Sequence, residues 1–250
     1  MIFNRMNSLS VCTLALLAGT VSCASPRSSL PAPEPTPAAS DSLPNDVKWV
    51  RSSAEYRALT REIYTMAGDR LPELVRGLPA RGWAVILDAD ETVLDNSEYQ
   101  RRLAVEHSAF DAKSWTAWVN ERAAPAVPGA VGFTEHVHSL GGRVAIVTNR
   151  SMAECDATRE NLRAIGVQAD LVLCQPAGEA DKNPRFQRVQ SGGAAPGLPA
   201  LSVVEWLGDN IQDFPSLTQA ARTDSAALAQ FGKRYFVLPN PMYGSWEHVP

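Results

Sequence analysis

The chain has 250 residues, 45% hydrophobic and 20% charged, with a formal net charge of -4. That length and apolar share can bury the core of one ordinary domain, and the mild acidity argues against a nucleic-acid polymer or an anionic membrane surface as partner. No stretch is long enough for a transmembrane helix.

The start reads as an export signal over residues 1–22: Arg5, an apolar run from Leu9 to Leu17 interrupted by Ser10 and Thr13, then small residues up to Ser22 and Cys23. Thr20-Val21-Ser22-Cys23 resembles a lipobox, in which Cys23 would be acylated and become the first mature residue, although Thr20 stands where Leu is usual. Ser22-Cys23-Ala24 also fits an ordinary cleavage site, which would leave a soluble periplasmic protein. The lipoprotein is the favoured reading. It gives a purpose to residues 23–46, where Pro26, Pro31, Pro33, Pro35, Pro37 and Pro44 lie among Ser, Ala and Glu as a semi-rigid tether.

The folded part is expected from about residue 47 to 250. Ser52 with Glu55 is a capping-box pattern, and Tyr56, Leu59, Ile63 and Ala67 recur at helical spacing, so a sheet-covering helix is predicted. Trp83 to Leu87 are all apolar without alternation, as in a short parallel strand buried on both faces. Asp88 and Asp90 follow, two positions apart, so in extended backbone both carboxylates project to one side of the sheet's carboxyl edge. Acids this close repel. One must hold a proton or a hard cation such as Mg²⁺ must neutralise them, and a nucleophile paired with a proton donor would serve attack on phosphorus. A solvated loop, or a helix beginning at Glu91 and Thr92, is the alternative for the same residues.

Between Asn96 and Val127 the chain is too long for a simple crossover and holds Phe110, Trp115, Trp118 and Val119. The last three share one helical face, which allows both tryptophans to be core. Further apolar runs at Val144–Val147, Leu171–Leu173, Leu201–Leu207 and Tyr235–Leu238 alternate with helical segments, predicting an α/β fold with a doubly wound, Rossmann-like parallel sheet. Pro128 and Gly141 bracket one intervening helix, and Ser151 with Glu154 opens another that ends near Gly166. Thr148 and Asn149, at the end of the second strand and beside that helix start, can donate to a phosphoryl group or merely cap the helix. Asp209 and Asp213 leave the fourth strand at spacing four, able to serve one metal ion and its surroundings, with Gly208 giving the backbone room. Cys155 and Cys174 fall near the ends of neighbouring strands, so a disulfide and a buried thiol pair both remain open. The four histidines show no zinc pattern.

DADETVLDN followed by Tyr99 resembles motif I of the haloacid dehalogenase superfamily in the form used by bacterial class C acid phosphatases, which are often outer-membrane lipoproteins acting on nucleoside monophosphates. The resemblance covers about residues 83–247 and recurs in order in FDAKSWTAWV, PGAVGF, VTNR, the lysine of DKNPRF, GDNIQDF and PNPMYGSWE. It implies the haloacid dehalogenase fold with a small helical cap at about 96–127, Asp88 as nucleophile, Asp90 as general acid and base, and Thr148 as motif II. It also implies Lys182 as the motif III lysine, a role that composition would not have given it, with Arg185 as fallback. Mg²⁺ would be held by Asp88, the main-chain carbonyl of Asp90 and Asp209, while Asp213 orients Lys182. Many relatives carry a further acid where Gln212 stands. Trp115 would stack on the substrate base opposite Tyr243, leaving Trp118 as core, and Asn149 would bind the phosphoryl group.

The function these features imply is Mg²⁺-dependent hydrolysis of phosphomonoesters such as nucleoside 5′-monophosphates through an aspartyl phosphate. A phosphotransferase of the same fold and a non-catalytic substrate- or haem-binding surface lipoprotein are the alternatives. Beyond the small-molecule ester the only contact expected is with the membrane through the lipid anchor, and a homodimer is left open.

Overall fold

The computed structural model describes residues 43–249. The expected signal (1–22), Cys23 and nearly all of the expected tether (23–46) lie outside them. Five parallel strands form one sheet in the order β3-β2-β1-β4-β5: β1 (Trp83–Leu87), β2 (Arg143–Ser151), β3 (Leu171–Gln175), β4 (Ser202–Gly208) and β5 (Tyr235–Val237). All five residues of β1 are buried, which is why its sequence shows no alternation. With β2 on one side of β1 and β4 on the other, the connections diverge at its carboxyl end and open a crevice there.

Helices cover both faces. Ile63, Tyr64, Ala67 and Leu71 of α2 (Ala54–Leu74) and Phe133 and Val137 of α5 (Ala130–Ser139) pack with Val85 and Leu87 in one core cluster, which also takes Leu162 of α6 (Cys155–Ala164). Ile86, Ala145 and Val147 point the other way and meet Phe186 and Val189 of α7 (Asn183–Ser191). This is the expected doubly wound arrangement.

Element boundaries differ from expectation in three places. A helix α1 (Asn45–Ser52) begins two residues before the expected start of the domain and occupies Ser52, so Ser53, in extended backbone, caps α2 by accepting the Tyr56 N–H at 3.0 Å. Pro128 precedes α5 rather than lying in its first turn. The cap there is Gly129 at φ 103°, where a side chain would also collide with Tyr64. The capping box at Ser151 and Glu154 is present, with Ser151 N–H donating to Glu154 Oε2 at 2.8 Å, but it opens a single 3₁₀ turn, and α6 starts only at Cys155.

The insertion holds α3 (Ser97–Val105) and α4 (Ala112–Glu121), a small helical cap. It is fastened at several points. Arg51 of α1 pairs with Glu98 of α3 at 3.0 Å, Thr116 of α4 donates to Glu154 at 2.7 Å, and Asn161 of α6 donates to the Ala124 carbonyl at 2.8 Å. Thus α1 packs on the cap while α2 covers the sheet. Cys155 and Cys174, both buried, form a disulfide with their Cα atoms 5.9 Å apart, tying the start of α6 to β3. A loop of that size is stabilised by roughly 3 kcal/mol in the chain-entropy account.

Candidate active site

Asp88 lies just past β1, its N–H donating to Leu207 O of β4 at 3.0 Å. The chain then turns tightly rather than starting a helix. Val93 and Leu94 N–H both donate to Ala89 O, at 2.9 and 2.8 Å, Glu91 takes φ 52°, and Tyr64 Oη donates to Thr92 O at 2.5 Å. Glu91 tolerates the left-handed backbone because its buried carboxylate accepts the Asn96 N–H at 2.8 Å.

At the end of β4, Gly208 leaves room for Asp213, whose side chain occupies the space a Cβ there would need. Asp213 accepts the Asn210 N–H at 2.8 Å through one oxygen and Lys182 Nζ at 2.6 Å through the other. Lys182, 5% exposed and at the N-cap of α7, also donates to Asp88 Oδ1 at 2.5 Å. It therefore bridges the two aspartates. Arg185 donates instead to Thr148 O and, at 2.6 Å, to Asn149 Oδ1, so it supports the loop after β2 and does not replace Lys182.

One oxygen each from Asp88, Asp209 and Asp213 lies within 4.8 Å of the others. Burial pushes Asp88 up to about 7, against the pull of Lys182 and helped by Asp213 and Asp90. Burial also raises Asp209 well above the carboxylate range, with Asp213 and Asp88 adding to it. For Lys182 burial is outweighed by the attraction of Asp213 and Asp88, so it stays charged. Three carboxylates face one ammonium, and the surplus negative charge with an all-oxygen donor set fits a hard divalent cation. Asp213 holds short hydrogen bonds on both oxygens, whereas among the described residues Asp88 Oδ2 accepts none and Asp209 Oδ1 accepts only a long one, so Asp88 and Asp209 each keep an oxygen to ligate. Asp209 is steadied by Asn240 Nδ2 at 2.9 Å and Thr92 Oγ1 at 3.4 Å. Gln212 lines the cavity without joining this cluster.

Thr148 is fully buried, and its Oγ1 accepts the Arg150 N–H at 3.1 Å, leaving the hydroxyl proton free. Asn149 lines the cavity wall, with its amide bound to Ala180 O at 3.1 Å and to Arg185. Because α6 begins at Cys155, its N-terminus is not beside Thr148 as expected. The helix start that reaches the site is that of α7, at Lys182.

Asp88, Asp90, Asn149, Lys182, Asp209 and Asp213, though not the buried Thr148, line a cavity of about 1190 Å³ that runs from Asp88 and Lys182 to the cap and the C-terminal segment. Trp115 and Tyr243 both line it, whereas Trp118 is 3% exposed and donates to Asn96 Oδ1 at 2.9 Å, as expected of a core residue. Trp115 packs edge-on against Tyr99 with ring centres 5.2 Å apart, and the Arg150 guanidinium sits 5.4 Å over its ring. Sequence reasoning assigned no role to Arg150, Asn96 or Asn240. Arg150 ends the VTNR stretch, and only its burial beside the β1 acids, which depends on β2 lying next to β1, marks it out.

A family model described as HAD superfamily, subfamily IIIB (acid phosphatase) matches residues 9–246. Among solved structures, the class C acid phosphatase from Bacillus anthracis superposes with a TM-score of 0.72 at 28% identity, covering 81% of this chain and 85% of that one. Its tungstate-bound form gives 0.71 at 29% identity, with coverage of 81% and 85%. Two curated plant proteins are also similar. The stem 28 kDa glycoprotein of Glycine max is 25% identical over 167 residues, which span 63% of this chain and 58% of that protein. Acid phosphatase 1 of Solanum lycopersicum is 33% identical over 81 residues, 32% of each. The fold, the order of the motifs and the family match agree: the chain belongs to the HAD superfamily, subfamily IIIB, the acid phosphatase branch.

Proposed function

We propose that the protein hydrolyses phosphomonoesters through a phosphoryl group carried transiently on Asp88. The observation that carries this reading is Lys182, which holds Asp88 Oδ1 at 2.5 Å and so leaves Oδ2 as the attacking oxygen. Lys182 and the Thr148 hydroxyl then balance charge on the phosphoryl oxygens. Asp90 gives a proton to the leaving oxygen and later takes one from the water that attacks phosphorus. A bound Mg²⁺, held by Asp88, Asp209 and the Asp90 carbonyl, would supply Lewis-acid stabilisation of the phosphoryl oxygens. Tungstate, named with the Bacillus anthracis enzyme, is a tetrahedral oxyanion like phosphate, which supports the same use of the site here.

Nucleoside 5′-monophosphates are the substrate class the cavity favours. Its wall carries Trp115 and Tyr243 for a base, and its cations, Arg150 and Lys182, are already paired with Asp90, Asp88 and Asp213. With Asp46 and Glu247 also on the wall, a second phosphate would meet repulsion. Arg150 covers one face of Trp115, so the base uses the other. For location we propose an outer-membrane lipoprotein acylated at Cys23 after removal of residues 1–22. The Cys155–Cys174 disulfide supports an oxidising envelope compartment, and no helix among the described residues is long and apolar enough to cross a membrane. A panel of nucleoside monophosphates and small phosphate esters, assayed with Mg²⁺ and with EDTA, tests the reading. Release of phosphate that depends on the metal and is fastest with nucleotides is expected, and absence of release from every ester would sink it.

A further inference from the structure

Asp90 is held by partners that the reaction scheme above does not use. Its Oδ1 accepts three hydrogen bonds, from Asn96 Nδ2 at 2.8 Å, Arg150 Nε at 2.9 Å and Arg150 Nη2 at 2.7 Å. Its Oδ2 accepts only a long one, from Arg150 Nε at 3.3 Å. The two holders are themselves fixed, Arg150 being 2% and Asn96 0% exposed. Arg150 donates to Asn96 Oδ1 at 3.1 Å and to Thr158 Oγ1 at 3.3 Å, and Trp118 Nε1 donates to the same Asn96 oxygen at 2.9 Å. Two donors facing Asn96 Oδ1 also fix the amide's orientation, which turns Nδ2 toward Asp90.

An oxygen that already receives three N–H donors has no lone pair left for a proton. We infer that Arg150 and Asn96 are positioning residues that commit Asp90 Oδ1 to anchoring and reserve Oδ2 for proton exchange with the leaving oxygen and with water. The inference rests on the phosphatase reading above and adds which atom moves the proton and what aims it. In the first half-reaction the bond from Asp88 Oδ2 to phosphorus forms, the ester P–O bond breaks, and the proton on Asp90 Oδ2 passes to the departing alkoxide. In the second half a water oxygen bonds to phosphorus, its proton goes to Asp90 Oδ2, and the acyl-phosphate P–O bond breaks to free Asp88 and phosphate. The planar guanidinium reaches Asp90, Asn96 and Thr158 at once, a geometry that a lysine ammonium cannot reproduce.

The test compares single-turnover phosphorylation rates of Arg150→Lys, Asn96→Ser and Asp90→Asn on alkyl phosphates and on aryl phosphates with good leaving groups. If the two residues aim the acid, Arg150→Lys and Asn96→Ser lose about a hundredfold on alkyl esters, the low end of what general acid catalysis supplies, and less than tenfold on aryl esters. KM stays near wild type, and adding Arg150→Lys to Asp90→Asn costs little more than Asp90→Asn alone. Equal losses on both ester classes, or losses that simply add, would overturn the inference while leaving the phosphatase reading intact. A wild type inactive on every ester would overturn both together. Should Arg150→Lys fail to fold, Asn96→Ser carries the same leaving-group comparison.

Discussion

Glu205→Gln should make the protein lose less stability than the wild type as pH rises, because it removes one of the buried acids, alongside Asp88 and Asp209, that hold their protons in the fold. Glu205 sits within β4, wholly buried, and neither carboxyl oxygen has a hydrogen-bond partner among the described residues. The charged groups acting on it are Arg70 and Arg234. Arg234 is committed to the carbonyls of Val204 and Val203 at 2.9 and 2.7 Å, while Arg70 pairs with Glu73 at 3.1 Å through Nη1 and its buried Nε has no hydrogen-bond partner among the described residues. Burial therefore wins and raises Glu205 from 4.5 to about 9. The folded state keeps its proton while the unfolded chain loses it, so stability falls as pH rises from about 4.5 toward about 9. One pH unit in that window is about 1.4 kcal/mol, so between pH 5 and pH 8 the wild type loses about 4 kcal/mol relative to the amide. For a domain of this size 1 kcal/mol is roughly 2–4 °C in Tm. Thermal unfolding of both proteins across that pH range, in EDTA to keep metal out of the comparison, reads the difference. Parallel pH profiles would mean that the carboxyl is ionised in the fold and that the burial argument fails.

Replacing Trp115 or Tyr243 with Ala should cost roughly 1–3 kcal/mol of base binding, lowering kcat/KM for nucleoside monophosphates about tenfold or more while small esters lose little. Arg150 keeps its contacts to Asp90, Asn96 and Thr158 in the Trp115 variant, and a uniform loss with lowered Tm would mean that the aromatics only hold the cap together. Asp209→Asn should raise the Mg²⁺ concentration needed for half-maximal thermal stabilisation, whereas an unchanged titration would move the ligand elsewhere. In the wild type that stabilisation should grow from pH 5 to pH 8, because the cation must displace the proton that burial keeps on Asp88 up to about 7. A pH-independent shift would refute that. Cys23→Ala should release the protein from the membrane fraction, and a wild type already soluble in the periplasm would favour the ordinary cleavage site instead.

The sheet was legible because each of its strands is an apolar run ending in polar or small residues, and the all-buried β1 could be read from five residues. That Asp88, Asp209 and Asp213 would gather at the sheet's carboxyl edge was legible because acids at short spacing past a strand must be neutralised somehow, whereas the roles given to them and to Asp90 rest on the family resemblance. Lys182 was not. Its loop resembles any charged loop, and only the fold carries it to within 2.5 Å of Asp88, 94 positions away. Arg150 escaped for the same reason, since its meaning depends on β1 and β2 being neighbours. Glu205 escaped because an apolar strand pattern tolerates one acid in the reading, while nothing local says whether that acid meets a partner. The choice between disulfide and thiols at Cys155 and Cys174 likewise needed the spatial approach of α6 to β3.

The central claim is that Asp88 becomes phosphorylated. Acid-quenched mass spectrometry of the enzyme mixed with a nucleoside monophosphate and Mg²⁺ should find one phosphoryl group on the peptide containing Asp88. Hydroxylamine should remove that group, and Asp88→Asn, though folded, should lack it and lose turnover by several orders of magnitude. Phosphate release by Asp88→Asn at a rate comparable to wild type, or a label on any other residue, would contradict the account.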